Sequence, residues 1–93
     1  MKKLVVDKVD GYNYCLKDND TSYNLNIEFY GDVVINPKDV IYMSEKYLLN
    51  NQMLSFGPLD EEYGKQPQIE NAEEIITIES TNGNKIYLKR FYG

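Results

Sequence analysis

The stretch Tyr23-Asn24-Leu25-Asn26-Ile27-Glu28-Phe29 decides the fold. Tyr23, Leu25, Ile27 and Phe29 alternate with Asn24, Asn26 and Glu28. Side chains on a strand point to opposite faces with a period of two. One side of this ribbon therefore belongs to a core and the other to water. Upstream, Tyr12-Asn13-Tyr14-Cys15-Leu16-Lys17 repeats the pattern, with Tyr12, Tyr14 and Leu16 sharing one face. Before it runs Leu4-Val5-Val6-Asp7-Lys8-Val9. Asp10-Gly11 separates the first two runs and Asp18-Asn19-Asp20-Thr21 the next two. Gly accepts positive φ without a Cβ clash, and Asx side chains bond their own backbone two residues on, so both junctions read as tight turns. The result is a three-stranded antiparallel meander.

Downstream, Gly31-Asp32 breaks the pattern, and Val33-Val34-Ile35 ends at Asn36-Pro37. Proline cannot donate to a ladder, so Pro37 marks a loop or a strand start. Val40-Ile41-Tyr42-Met43 reads as a fourth strand. Ser44 then has the chemistry of a helix N-cap, with Glu45 in the first turn and Met43 and Leu48 spaced as a hydrophobic staple. These predict a short helix from Glu45 to about Asn50, which must pack Tyr47, Leu48 or Leu49 on the sheet to persist. Met53-Leu54-Ser55-Phe56 is a candidate strand closed by Gly57-Pro58. Residues 57–73 read as a long acidic loop. Such loops are uncommon in compact domains and are usually functional or mobile. Residues 74–92 read as a C-terminal hairpin turning at Asn82-Gly83, the strongest short-range hairpin signal.

Composition agrees. The chain has 93 residues, enough for a single domain, 1–93. Nine Tyr and three Phe stand against one Ala, Ala72. That balance favours pleated surfaces over helices, although an AT-rich genome also favours Lys, Asn, Ile and Tyr. The fold class is therefore mainly β with one short helix, drawn as a small antiparallel β-barrel. Over residues 2–56 the runs Leu4–Val9, Tyr12–Lys17, Tyr23–Tyr30 and Pro37-Lys38-Asp39-Val40-Ile41 resemble the oligonucleotide/oligosaccharide-binding (OB) barrel. Many OB-type domains open the corresponding strand with Gly-Asp. Here Lys38 takes the place of that Gly, and the helix follows the fourth strand rather than the third. An SH3-like barrel is the alternative. The chain as a whole resembles small proteins of low-GC Gram-positive bacteria, which implies no activity.

Composition also limits function. There is no His, no Trp and one Cys. The residues for a Cys/His zinc site, an internal disulfide or a His-dependent nucleophile are missing. No segment approaches the ~20 apolar residues of a membrane span. Met1-Lys2-Lys3-Leu4-Val5-Val6 becomes charged at Asp7 and has no signal-peptide core. With a free thiol, this predicts a cytoplasmic protein. Asp18-x-Asp20 begins a calcium-loop pattern, but Tyr23 and Phe29 stand where Gly and Glu are needed. Cys15 has Lys17 on its face, thin support for a reactive thiolate. Asp7, Asp10 and Glu28 have no spacing that makes them converge for acid–base work. No cofactor or metal is implied.

The surfaces offer two expectations. A non-catalytic module would contact a protein partner through Phe56, Leu59, Asp60, Glu61, Glu62 and Tyr63, combining aromatic anchors with acidic specificity. Alternatively, Lys85, Tyr87, Lys89 and Phe91 share a face that would take single-stranded nucleic acid, stacking bases among cations. Lys2, Lys3, Lys8 and Lys17 would join that face if the first and last strands were neighbours. A net charge of −5 opposes this alternative. An edge strand kept wet by lysines is the plainer account of the same residues. The aromatic load also makes a homodimer a reasonable expectation.

Overall fold

The computed structural model describes residues 1–49, 53–58 and 75–90. Among these the chain forms seven strands and one short 3₁₀ turn: β1 Lys2–Asp10, β2 Asn13–Asp18, β3 Thr21–Phe29, β4 Val40–Met43, the turn Glu45–Leu48, β5 Met53–Pro58, β6 Ile75–Glu79 and β7 Lys85–Arg90. It is a mainly β protein. The ladder order β1-β2-β3-β5-β7-β6-β4 returns from β4 to β1, so every strand has a partner on each side. No helix among the described residues is long and apolar enough to cross a membrane.

The meander forms as its residues require. Asp10 pairs with Asn13 around the two-residue loop Gly11-Tyr12, with Gly11 at φ 61°. Glycine at the first loop position is the mark of a type II′ hairpin. Asp18 pairs with Thr21 around Asn19-Asp20, where Asn19 takes φ 53°, a conformation Asn tolerates better than most residues. β1 is long because it serves two neighbours: Lys2–Val5 pair with β4 and Val5–Asp10 with β2. The β1–β2 register shifts between Val6 and Lys8, a bulge that bends the strand.

Several expectations change. The sheet is not wholly antiparallel, because β3 and β5 run parallel from Asn26 opposite Met53 to Phe29 opposite Phe56. Between them residues 30–52 pass through β4 and the 3₁₀ turn, the kind of long connection that parallel neighbours require. β1 and β7 are not neighbours, since β1 lies between β2 and β4 and β7 between β5 and β6. Lys2, Lys3, Lys8 and Lys17 therefore do not extend the face of β7 through a shared ladder. The short helix is a single 3₁₀ turn. Ser44 caps it, its Oγ accepting from Lys46 N at 3.4 Å, and Tyr47 is buried beneath it.

The last hairpin turns at Asn82-Gly83, but its loop is longer than a two-residue type I′ turn. Glu79 pairs with Lys85, Ser80 N donates to Asn84 O at 2.8 Å, and Gly83 N donates to Ser80 O at 2.9 Å. Only Gly83, at φ 90°, is left-handed there. This is the three-residue loop in which a turn is followed by a left-handed residue. Gly57 and Pro58 belong to β5, and the remainder of the expected acidic loop lies outside the described residues.

All seven strands and the 3₁₀ turn supply the core: Leu4 and Val6, Tyr14 and Leu16, Leu25 and Ile27, Ile41 and Met43, Tyr47, Leu54 and Phe56, Ile76 and Ile78, and Leu88. The decisive heptapeptide divides as its alternation predicts, with Leu25 and Ile27 buried and Asn24 and Asn26 exposed. A run of rings threads this core. Tyr14 meets Phe29 edge-on at 5.3 Å, Phe29 stacks on Phe56 at 6.3 Å, and Tyr47 meets Phe56 edge-on at 5.5 Å. Such pairs add about 0.5–1.5 kcal/mol each beyond the area they bury. Burial also raises the Tyr14 hydroxyl above its ordinary pKa of 10.0.

Candidate interface on the outer face

Alternation along β1, β4, β6 and β7 sends one set of residues inward and the other outward. Leu4 and Val6, Ile41 and Met43, Ile76 and Ile78, and Leu88 are buried. Their neighbours of opposite parity face out, apart from Ile75 at the start of β6, which is also buried. Registry then aligns these outward residues across the four strands. Lys3 is opposite Tyr42, Tyr42 opposite Thr77, and Thr77 opposite Tyr87. One step along, Val5 is opposite Val40, Val40 opposite Glu79, and Glu79 opposite Lys85. Strands lie ~4.8 Å apart, so each row spans about 14 Å.

The surface is mixed in a specific way. Tyr87 is 42% exposed and Val5 41%, while Tyr42, Val40, Thr77 and Glu79 are half-buried. Lys3, Lys85 and Lys89 are exposed around them. Glu79 is the acid within the rows. It faces Lys85 and accepts a long hydrogen bond from the Tyr42 hydroxyl at 3.5 Å. Two tyrosines thus stand on either side of Thr77, two strands apart, with three lysines about them, on a chain whose overall charge is −5.

The residues expected from sequence fall out unevenly. Lys85, Tyr87 and Lys89 share this outer face and are exposed. Phe91 lies outside the described residues, as do Leu59, Asp60, Glu61, Glu62 and Tyr63. Phe56 is fully buried between Phe29 and Tyr47 and so is a core residue rather than a contact residue. Its parity matches Leu54, which places both inside the sheet. Tyr42 and Thr77 were missed, and Lys3, expected to join through a β1–β7 pairing, reaches the face through β4 instead. Tyr42 has the opposite parity to Ile41 and Met43, which marks it as outward, but no local pattern says which strand lies beside β4.

Four other cations are engaged. Lys2 Nζ lies 3.0 Å from Asp18 Oδ2 and 3.6 Å from Glu45 Oε1. Its pKa is raised above the ordinary 10.5, chiefly by the hydrogen bond to Asp18 and then by that carboxylate's charge. Lys17 Nζ lies 3.6 Å from Asp7 Oδ2. The Arg90 guanidinium stands 5.2 Å and the Lys46 ammonium 5.3 Å from the Tyr47 ring centre.

The remaining candidates stay apart. Asp18 opens a β-turn and Asp20 sits within its loop, and no three of His, Cys, Asp and Glu gather as a metal-holding group among the described residues. Asp10 is opposite Asn13 and Glu28 opposite Ser55, while Asp7 is spent on Lys17. Cys15 is half-buried, between Lys8 on β1 and Asn24 on β3. Comparison with models of protein families, with curated proteins and with solved structures gave no match for this chain.

Proposed function

We propose that this chain is a non-catalytic binding module that contacts a protein partner through the outer face of β1, β4, β6 and β7. The observation that carries the reading is the row Lys3, Tyr42, Thr77, Tyr87. Tyrosine is an efficient anchor because it buries a large rigid surface and keeps a polar tip. The flanking Lys85 and Lys89 favour a partner that presents acidic residues beside its own apolar contacts. The acidic stretch Asp60-Glu61-Glu62-Tyr63, which follows β5 in sequence, would supply a second contact of opposite charge.

The reading includes an OB-type barrel, with the hairpin β6–β7 interposed between β5 and β4. Its supports are the order β1-β2-β3-β5, the parallel β3–β5 pair and the return of β4 to β1. An SH3-like barrel is the competing topology. Cys15, with no second cysteine to pair with, fits a reducing cytoplasm.

Capture of partners on the immobilised chain tests the function. The wild type should retain a defined protein that a Tyr42→Ser/Tyr87→Ser variant loses while keeping its β-sheet circular dichroism. Equal retention by the two chains contradicts the proposal. Retention of the chain's own second copy would make the same face a homodimer interface.

Single-stranded nucleic acid is the second reading, favoured by Tyr42 and Tyr87 standing among Lys3, Lys85 and Lys89. The net charge of −5 and Glu79 at the centre oppose it. Salt separates the two. Oligothymidylate binding would fall steeply with ionic strength through counterion release, and an aromatic-anchored protein contact would fall far less.

A further inference from the structure

The β6–β7 loop holds the chain's only Asn-Gly pair, Asn82-Gly83. Thr81, Asn82, Gly83 and Asn84 are all exposed. Nothing lies within 4 Å of where a Cβ on Gly83 would sit, so no packed neighbour crowds the loop at that residue. We propose that Asn82 is this protein's site of spontaneous deamidation, and that the loop's hydrogen bonds gate it. The inference is independent of what the outer face binds.

The chemistry needs only water. The Gly83 amide nitrogen gives up its proton to solvent and attacks Cγ of Asn82. The new N–Cγ bond forms as the Cγ–Nδ2 bond breaks, and ammonia leaves with a proton taken from solvent. Water then opens the cyclic imide at one carbonyl or the other, leaving aspartate or isoaspartate. No redox partner takes part.

In the folded loop both reacting groups are held. Gly83 N donates to Ser80 O at 2.9 Å. Asn82 Oδ1 accepts from Ser80 Oγ and, at 3.4 Å, from Asn84 N. Ser80 Oγ itself accepts from Asn84 N at 3.2 Å. The side-chain carbonyl must leave these donors, and the amide must leave Ser80 O, before ring closure. Ser80 is therefore the latch. Isoaspartate would lengthen the backbone by one methylene inside the loop that sets Glu79 opposite Lys85. Tyr87 lies two residues beyond that pair.

The test is peptide mapping by mass spectrometry of the full chain incubated in mildly alkaline buffer, with isoaspartate scored at every asparagine. Three samples are compared: native protein, protein in urea, and a Ser80→Ala variant that retains its circular dichroism. Asn82 should convert ahead of every other asparagine, and more slowly in the native protein than in urea. Ser80→Ala should speed native conversion about threefold to tenfold, the worth of one lost hydrogen bond. A Ser80→Thr variant, which keeps the hydroxyl, should stay near the wild-type rate. Equal rates in native protein and urea, an unchanged rate in Ser80→Ala, or earlier conversion at another asparagine overturns the proposal.

Discussion

Lys38 donates its backbone N–H to the carbonyl of Val6 at 2.7 Å while its own φ is 80°. The reciprocal bond one residue on, Val6 N to Asp39 O at 2.8 Å, fixes the turn Asn36–Asp39 against β1 just before the bulge. Asp39 is buried, and its Oδ2 accepts from Asn36 N at 2.9 Å, closing the turn from within. Pro37 followed by a left-handed residue is the pattern of a type II turn, where glycine is preferred. Lysine there carries a steric cost of ~1–2 kcal/mol. Glycine would remove that cost but add back ~0.5–1 kcal/mol of unfolded-chain entropy.

Lys38→Gly should therefore stabilise the protein by about 0.5–1 kcal/mol. Lys38→Val, which puts a β-branched side chain at positive φ, should destabilise it. Urea midpoints at constant slope measure both. A lower midpoint for Lys38→Gly would show that the lysine side chain has a role outside the turn.

Phe56 and Tyr87 are both aromatic and should behave oppositely. Phe56 is fully buried in the run of rings, so Phe56→Ala should cost about 3–5 kcal/mol, enough to unfold most of a small domain. Tyr87→Ala lies on the outer face and should change stability by less than about 0.5 kcal/mol. Thermal melts of the two variants check the assignment. Similar losses from both would mean that Tyr87 is part of the packing.

Legibility followed the range of the interactions. The alternation of Tyr23–Phe29 and the turn residues at Gly11, Asn19 and Gly83 are local, and each produced the element expected. Ser44 capped its turn for the same reason. The parallel β3–β5 pair was illegible because Ile27 and Leu54 meet only after the chain has passed through β4, and nothing in either strand encodes that choice of neighbour. Phe56 misled through its sequence position beside Gly57-Pro58, which suggested a surface turn, whereas parity with Leu54 turns it inward. The contact row was half visible. Lys85, Tyr87 and Lys89 share a period on one strand, but Tyr42 and Lys3 joined them only through registry. Lys38 stands where glycine is common, and its positive φ is the physical content of that departure.

Alkaline stability should fall through two groups. Lys2 has a raised pKa in the folded protein, so its ion pair with Asp18 contributes below its unfolded value of 10.5 and is lost as pH rises through the higher folded value. Tyr14 is an acid kept neutral by burial. Above its unfolded value of 10.0 the unfolded chain ionises first, so stability again falls with rising pH. Urea midpoints at about pH 8 and about pH 11 should show the drop, and Tyr14→Phe and Lys2→Met should each make it shallower. An equal drop in both variants would place its origin elsewhere.

Arg90 on β7 is the register partner of Phe56 and holds its guanidinium over Tyr47. It thus ties the last strand to the 3₁₀ turn. Cation–π contacts contribute about 0.5–2 kcal/mol depending on desolvation. Arg90→Ala should lose roughly 1–2 kcal/mol, and Arg90→Lys should restore part of it, with Tyr47→Leu reducing the difference between Arg and Ala in a double-mutant cycle. Additive losses would remove the ring contact from the account.

Chemical-shift mapping of the captured partner onto the labelled chain tests the proposed contact face most directly. The account predicts perturbations centred on Lys3, Tyr42, Thr77, Lys85 and Tyr87, with the outer residues Asn13, Asn24 and Asn26 of β2 and β3 unmoved. Perturbations centred on β2 and β3, with Tyr42 and Tyr87 unchanged, would contradict it.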